Sequence, residues 1–184
     1  MRRELVERAQ RGDHDAFAAI ATAMIGRLDA AARLILRDPD LARDAVQEAL
    51  VRVWRDLPRL REPERFEPWL HRLLVHACLD QARAHRRHRL EVELLPAHDV
   101  PLPDVGSELA VRDEIERGFR RLEPEQRAVI VLHYYLGLPL PDAAAALGIP
   151  VGTAKSRLSR AVAALRASLD AEARVPVVAG GGVA

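Results

Sequence analysis

The chain's 184 residues predict an all-α fold: two small helical domains joined by a flexible acidic linker. Three observations carry this expectation. Aromatic residues make up only 4% of the chain, and β-branched residues rarely alternate with polar ones, so strand patterning is nearly absent. Apolar residues recur instead at i, i+3/i+4 and i+7, the spacing of one buried helical face. Between Glu91 and Ser107 that rhythm stops, where Pro96, Pro101 and Pro103 are mixed with Asp99, Asp104 and Gly106. Two helical domains of under about 90 residues fit the length.

The elements follow in order. Arg2–Arg11 reads as a helix broken at Gly12-Asp13, and the alanine-rich segment His14–Leu36 as a longer one stopped by Asp38-Pro39. Asp40 is expected to cap a third helix, Leu41–Leu57, which Pro58 ends. Arg59–Arg65 is a charged loop, and Phe66–Arg89 a long helix with Leu70, Leu73, Leu74, Ala77 and Cys78 inward. Beyond the linker, Leu109–Leu122 resumes a helix, and a further one opens at Glu123-Pro124 and runs to Tyr135. Ala143–Leu147 is a short helix that Gly148 and Pro150 terminate. Thr153 is expected to cap the last helix, whose buried stripe is Ala154, Leu158, Ala161, Val162, Leu165 and Leu169. The last ten residues, VPVVAGGGVA, read as a frayed tail. The expected domains are 1–90 and 108–170, with linker 91–107 and tail 171–184.

Net charge is only +1, but it is unevenly spread: +4 over residues 1–90, −4 over 91–112 and +1 over 113–184. A basic front, an acidic strap and a locally basic helix suggest two nucleic-acid-facing modules. Cys78 is the only cysteine, which rules out an internal disulfide and a cysteine-rich zinc site. No apolar run approaches the roughly 20 residues that span a bilayer, and the start lacks a signal-peptide core, so a cytoplasmic location without membrane insertion is expected. No P-loop, nucleophile elbow or HExxH occurs. His71/His76 and His85/His88 lack neighbouring carboxylates, so no catalytic residue, metal or cofactor is expected.

Three motifs could carry function. In Pro139–Leu169, two helical patterns meet at a glycine turn, and no acidic residue lies between Asp142 and Asp170. Ser156, Ser159 and Arg160 face away from the buried stripe, with Lys155 and Arg157 on the flanks. Such a helix suits the DNA major groove, with Arg160 toward base edges and the flanking cations toward phosphate. The same pattern fits the solvated face of an ordinary helical hairpin. In residues 40–54, Asp44, Gln47, Glu48 and Arg52 share an outward polar face, also typical of a plain amphipathic helix with a Glu48–Arg52 pair. The long helix carries Phe66, Trp69, His71 and His76 in its first half and Arg83, Arg86, Arg87 and Arg89 in its second. Aromatics beside cations suit stacking on unpaired bases, and equally a core tryptophan before a helix end that favours positive charge.

Taken together, the segments DAVQEALVRVW (44–54), PWLHRLLVHACLDQARAHRR (68–87) and LEPEQRAVIVLHYYLGLPLPDAAAALGIPVGTAKSRLSRAVAALR (122–166) resemble a bacterial RNA polymerase sigma factor. The resemblance is to the extracytoplasmic-function (ECF) group of the sigma-70 family and spans roughly Leu5–Leu169. It implies a promoter-specificity subunit with core RNA polymerase and promoter DNA, duplex and single-stranded, as partners, and an anti-sigma protein as a further one. Asp44, Gln47 and Glu48 would then bind the clamp helices of the polymerase largest subunit. Arg59, Arg61, Phe66, Trp69, His76, Arg83, Arg86 and Arg87 would melt the minus-10 element and capture its bases. Thr153, Lys155, Ser156, Arg157, Ser159 and Arg160 would read the minus-35 duplex, and the linker would thread toward the active-site channel and RNA exit path. Leu50 stands where phenylalanine is usual in that family, His76 where asparagine is common, and Ala143 where isoleucine often occurs. The alternative from a different class is a free-standing helix-turn-helix regulator that binds DNA as a dimer.

Overall fold

The computed structural model describes residues 3–92 and 118–172. Every regular element among them is helical: α1 (Arg3–Gln10), α2 (His14–Leu36), α3 (Pro39–Asp56), α4 (Phe66–Val92), α5 (Pro124–Ile130), α6 (Leu140–Leu147) and α7 (Val151–Glu172). Residues 93–107 of the expected linker, the first part of the Leu109–Leu122 helix and residues 173–184 of the expected tail lie outside the described residues, whereas 91–92 and 171–172 are helical and end α4 and α7.

Helices α1–α4 form the first bundle, and their boundaries follow from local chemistry. The Asp13 carboxylate accepts from the Ala16 N–H at 2.9 Å and starts α2. Arg37 ends α2 in the left-handed conformation (φ 61°), its N–H reaching the Arg33 carbonyl. The cap of α3 is Asp38 rather than the expected Asp40: Asp38 Oδ1 accepts from the Asp40 and Leu41 N–H groups, both at 2.9 Å. Proline suits the first helical position because its missing N–H would have no intrahelical partner there, so α3 starts at Pro39. The segment expected as a plain loop contains two 3₁₀ turns, Leu57–Arg59 and Pro63–Arg65. The Gln10 side-chain amide pins it by donating to the Leu57 and Leu60 carbonyls, at 3.2 and 2.6 Å. Leu28, Ile35, Val53, Phe66, Leu70 and Leu74 are among the residues that fill the core.

In the second unit, α5 continues into one π-helical turn, Val131–Tyr135, with the Leu136 N–H on the Val131 carbonyl at 2.8 Å. Gly137, at φ 75°, then turns the chain into α6. After α6, the Gly148 N–H reaches the Ala145 carbonyl and the Ile149 N–H the Ala144 carbonyl, at 3.2 and 3.1 Å. These two bonds make a Schellman end, and Gly148 supplies its left-handed residue at φ 66°. The first bond of α7 runs from the Ala154 N–H to the Pro150 carbonyl, so Thr153 lies inside the first turn and is not its cap. Pro150 accepts this bond with its carbonyl and has no N–H to leave unpaired, which lets the helix begin at Val151.

The two units are docked. Ala128, Val131, Leu132, Leu136, Leu138, Ala143 and Ala146 belong to the same buried cluster as α1–α4. Smaller clusters, Val129/Ala144/Ala154 and Phe119/Leu122/Ile130/Ala161, hold the second unit to itself. Gly118 packs so closely on α7 that a Cβ there would lie 2.8 Å from Leu165 Cδ2. Arg127, buried, donates to the Ile35 carbonyl at 2.5 Å and the Phe119 carbonyl at 3.3 Å, thereby joining the C-terminal end of α2 to the second unit. Burial, with Arg37 nearby, pulls its guanidinium down to about 10.

Candidate nucleic-acid interface

The polar face expected to meet duplex DNA is built on α7. Ala154 and Ala161 are buried against α5, α6 and residue 119, which turns Lys155, Ser156, Ser159 and Arg160 to solvent, with Arg157 half-buried on the flank. Thr153 is half-buried at the base of this face. The Ser156 hydroxyl donates to the Thr153 carbonyl at 3.0 Å, and Arg160 Nε to the Ser156 carbonyl at 3.3 Å. Arg160 therefore lies back along its own helix.

The residues expected to capture single strands divide three ways. Phe66 is a correction: at 1% exposure it opens α4 from within the core, 6.1 Å from the half-buried Trp69 ring, and offers no face for stacking. Phe66 closes the preceding 3₁₀ turn, its N–H on the Pro63 carbonyl, and its side chain belongs to the main buried cluster. Arg59, Arg61, Arg83 and Arg87 are exposed, Arg59 lying 3.6 Å from Asp56 and Arg83 2.9 Å from Asp80. His76 and Arg86 are engaged by the second unit. His76 Nε2 sits 2.9 Å from the Ala146 carbonyl and so must carry the proton there, while Arg86 pairs with Glu123 at 2.8 Å.

On α3, Asp44, Gln47 and Glu48 are exposed on one face. Glu48 pairs with Arg52 at 2.8 Å, and Arg52 reaches Asp80 at 3.3 Å, which ties this face to α4. Beside it lies a feature that the sequence reasoning missed: an open, almost wholly apolar groove of about 590 Å³ between α2 and α3. Phe17, Ile25, Val46, Leu50, Val51 and Trp54 line it. Trp54 is held there against His14 and Phe17, with ring centroids 4.7 and 4.9 Å away. Val51, 55% exposed, was the available signal: the run Ala49-Leu50-Val51 is wider than one buried stripe requires.

His71 is buried on α4, and neither ring nitrogen has a hydrogen-bond partner. Burial, reinforced by Arg27 and opposed by Glu67, lowers it to about 4, so it is neutral at physiological pH. Among the described residues no group of three His, Cys, Asp or Glu could hold a metal ion, and no helix is long and apolar enough to cross a membrane.

Comparison with known proteins agrees with this layout. Residues 20–88 match the model of "Sigma-70 region 2", and residues 112–165 that of "Sigma-70, region 4". ECF RNA polymerase sigma factor SigM of Mycobacterium tuberculosis is 34% identical over 163 residues, covering 88% of this chain and 81% of SigM. Among solved structures, CnrH in complex with the cytosolic domain of CnrY is similar with a TM-score of 0.65 at 30% identity, over 92% of this chain and 97% of that one. The sigma factor RpoE of Bartonella quintana, in complex with the anti-sigma factor NepR, has a TM-score of 0.69 at 27% identity, over 84% and 96%. The chain belongs to the sigma-70 family of RNA polymerase sigma factors, in the ECF group. That membership favours the sigma reading over a free-standing dimeric regulator.

Proposed function

We propose that this sigma factor engages core RNA polymerase through Asp44, Gln47 and Glu48 on α3 and reads the minus-35 duplex with α7. It captures the opened minus-10 strand along α4. Residues 1–90 serve polymerase and the minus-10 element, 91–107 form the linker, 108–170 read the minus-35 element, and 171–184 are a tail. The protein acts in the cytoplasm by binding energy alone, without catalytic chemistry: polymerase supplies most of the affinity, α7 sets position, and captured bases offset the cost of opening the duplex.

The observation that carries this reading is the outward face of α7. Lys155, Ser156, Ser159 and Arg160 are exposed together on a helix whose opposite side is anchored by Ala154 and Ala161. Trp69, half-buried, and the cations Arg59, Arg61, Arg83, Arg86 and Arg87 support the minus-10 role, with His76 between them. Phe66 supports it only from beneath, by holding the start of α4 in place. An anti-sigma protein is a further partner in this reading, supported by the likeness to a sigma factor solved with one.

Transcription by core polymerase over a genomic promoter library, with and without the protein, tests the proposal. Defined new start sites are expected on addition, lost in the double variant Asp44→Arg/Glu48→Arg. An unchanged transcript profile overturns it.

A further inference from the structure

The functional reading gives α1 no role, yet the segment that joins α3 to α4 is laid along it. That segment, residues 57–65, has little internal structure of its own. Pro58 and Pro63 supply no N–H. The backbone closes on itself in two 3₁₀ turns, with the Leu60 N–H on the Leu57 carbonyl at 3.1 Å and the Arg65 N–H on the Glu62 carbonyl at 2.9 Å. The ion pairs of its arginines are equally local, Arg59 with Asp56 at 3.6 Å and Arg65 with Glu62 at 2.8 Å.

Anchorage to the bundle comes from two sources. Leu57 is fully buried and Leu60 packs against the main core, which holds the segment in place but leaves the direction of its peptide planes open. Helix α1, itself fixed in that core by Val6 and Ala9, supplies the direction. At its C-terminal end the Gln10 amide donates to the Leu57 and Leu60 carbonyls at 3.2 and 2.6 Å, and at the other end Arg3 pairs with Glu64 at 2.7 Å. The segment thus runs antiparallel along the whole of α1, about 12 Å at about 1.5 Å per residue. The Arg3–Glu64 pair is exposed on both sides and contributes little, so the half-buried Gln10 carries the orientation. An amide NH₂ has two hydrogens, and both are committed, one to each carbonyl.

We infer that Gln10 is a positioning residue for minus-10 recognition: by holding the Leu57 and Leu60 carbonyls it sets the direction in which Arg59 and Arg61 leave the bundle, and through them the sequence choice of the captured strand. The inference rests on the reading of Arg59 and Arg61 as strand-capturing residues. Both are exposed, and they flank Leu60, the residue whose carbonyl takes the shorter of the two bonds. Side chains on a loop discriminate sharply only when supporting hydrogen bonds hold the backbone beneath them.

The test uses the full chain with core polymerase, on a promoter active with the parent whose minus-10 and minus-35 segments are randomised in separate libraries. Gln10→Glu keeps the shape but turns carboxylate oxygens toward two carbonyls, and Gln10→Met keeps the length without a donor. Gln10→Lys restores donors to the same two acceptors. Circular dichroism fixes a temperature at which every variant is folded. The readout is the preference for the best over the median sequence, a ratio that a sequence-independent gain in phosphate attraction leaves unchanged. Glu and Met at position 10 are expected to lose at least fivefold of this preference at the minus-10 element and less than twofold at the minus-35 element, with Lys within twofold of the parent at both. A minus-10 profile unchanged in the Glu and Met variants, an equal loss at both elements, or a Lys variant as impaired as Met would each overturn the inference. Arg59→Ala/Arg61→Ala separates the two levels: if it loses minus-10 preference while Gln10→Glu keeps it, only the positioning role fails, and if it keeps the preference, the reading of the segment fails as well.

Discussion

Replacing Phe66 by alanine distinguishes a core residue from a base-stacking one. The side chain is 1% exposed and sits in the main core at the start of α4, with Trp69 packed beside it. An aromatic ring removes roughly 150–250 Å² from water, worth about 4–6 kcal/mol at about 25 cal/mol/Å². Alanine keeps a small part of that, and the ring-sized cavity adds a penalty, so the net loss is about 3–5 kcal/mol. For a chain of this size each kcal/mol lowers Tm by about 2–4 °C, which gives a fall of about 6–20 °C. Phe66→Leu, which keeps the site apolar with a smaller void, should lose under about 1.5 kcal/mol. Differential scanning calorimetry and urea titration followed by circular dichroism measure both variants. An unchanged Tm for Phe66→Ala, coupled with loss of promoter opening, would refute the reasoning and put the ring on the DNA.

Removing the α3 cap by Asp38→Ala should cost about 1 kcal/mol in urea titration, because two backbone N–H groups lose their acceptor. His71 has its folded-state value lowered from 6.5 to about 4, so between these pH values the unfolded chain binds the extra proton. Its contribution is therefore complete above about pH 6.5 and lost as pH falls toward 4, with a slope of at most roughly 1.4 kcal/mol per pH unit. His71→Leu should flatten that limb in stability measured across pH 4–8, and an unchanged slope would contradict the assignment. Arg160→Ala should weaken minus-35 recognition by about 1–3 kcal/mol and relax sequence choice in holoenzyme binding to a randomised minus-35 library. A uniform loss over all sequences would make Arg160 a phosphate contact.

Much of the fold is legible in the sequence, because proline, glycine and aspartate punctuate it. The bounds of α2 follow from Gly12-Asp13 and Asp38-Pro39, and the turn into α7 from Gly148 and Pro150. The caps were harder to place. Asp38 and Asp40 are equally plausible from composition, and only the position of Pro39 in the first turn separates them. The outward face of α7 was readable because a helix with one buried stripe fixes the direction of every other residue. The burial of Phe66 is not legible in the sequence, because an aromatic at a helix start has no periodic context behind it. The docking of the two units was invisible, since it depends on Arg127, His76 and Arg27 each finding a backbone carbonyl far away in the sequence.

The shared core of the two units also bears on the lifetime of the free protein. Leu132, Leu136, Leu138, Ala143 and Ala146 share one buried cluster with α1–α4, so the chain should melt in a single cooperative transition. Lifting that unit exposes an apolar face and leaves a helical module far below the size at which one core is comfortably stable. A chain opened along this seam thus becomes a good substrate for proteases and chaperones, and the contacts between the units protect it from turnover.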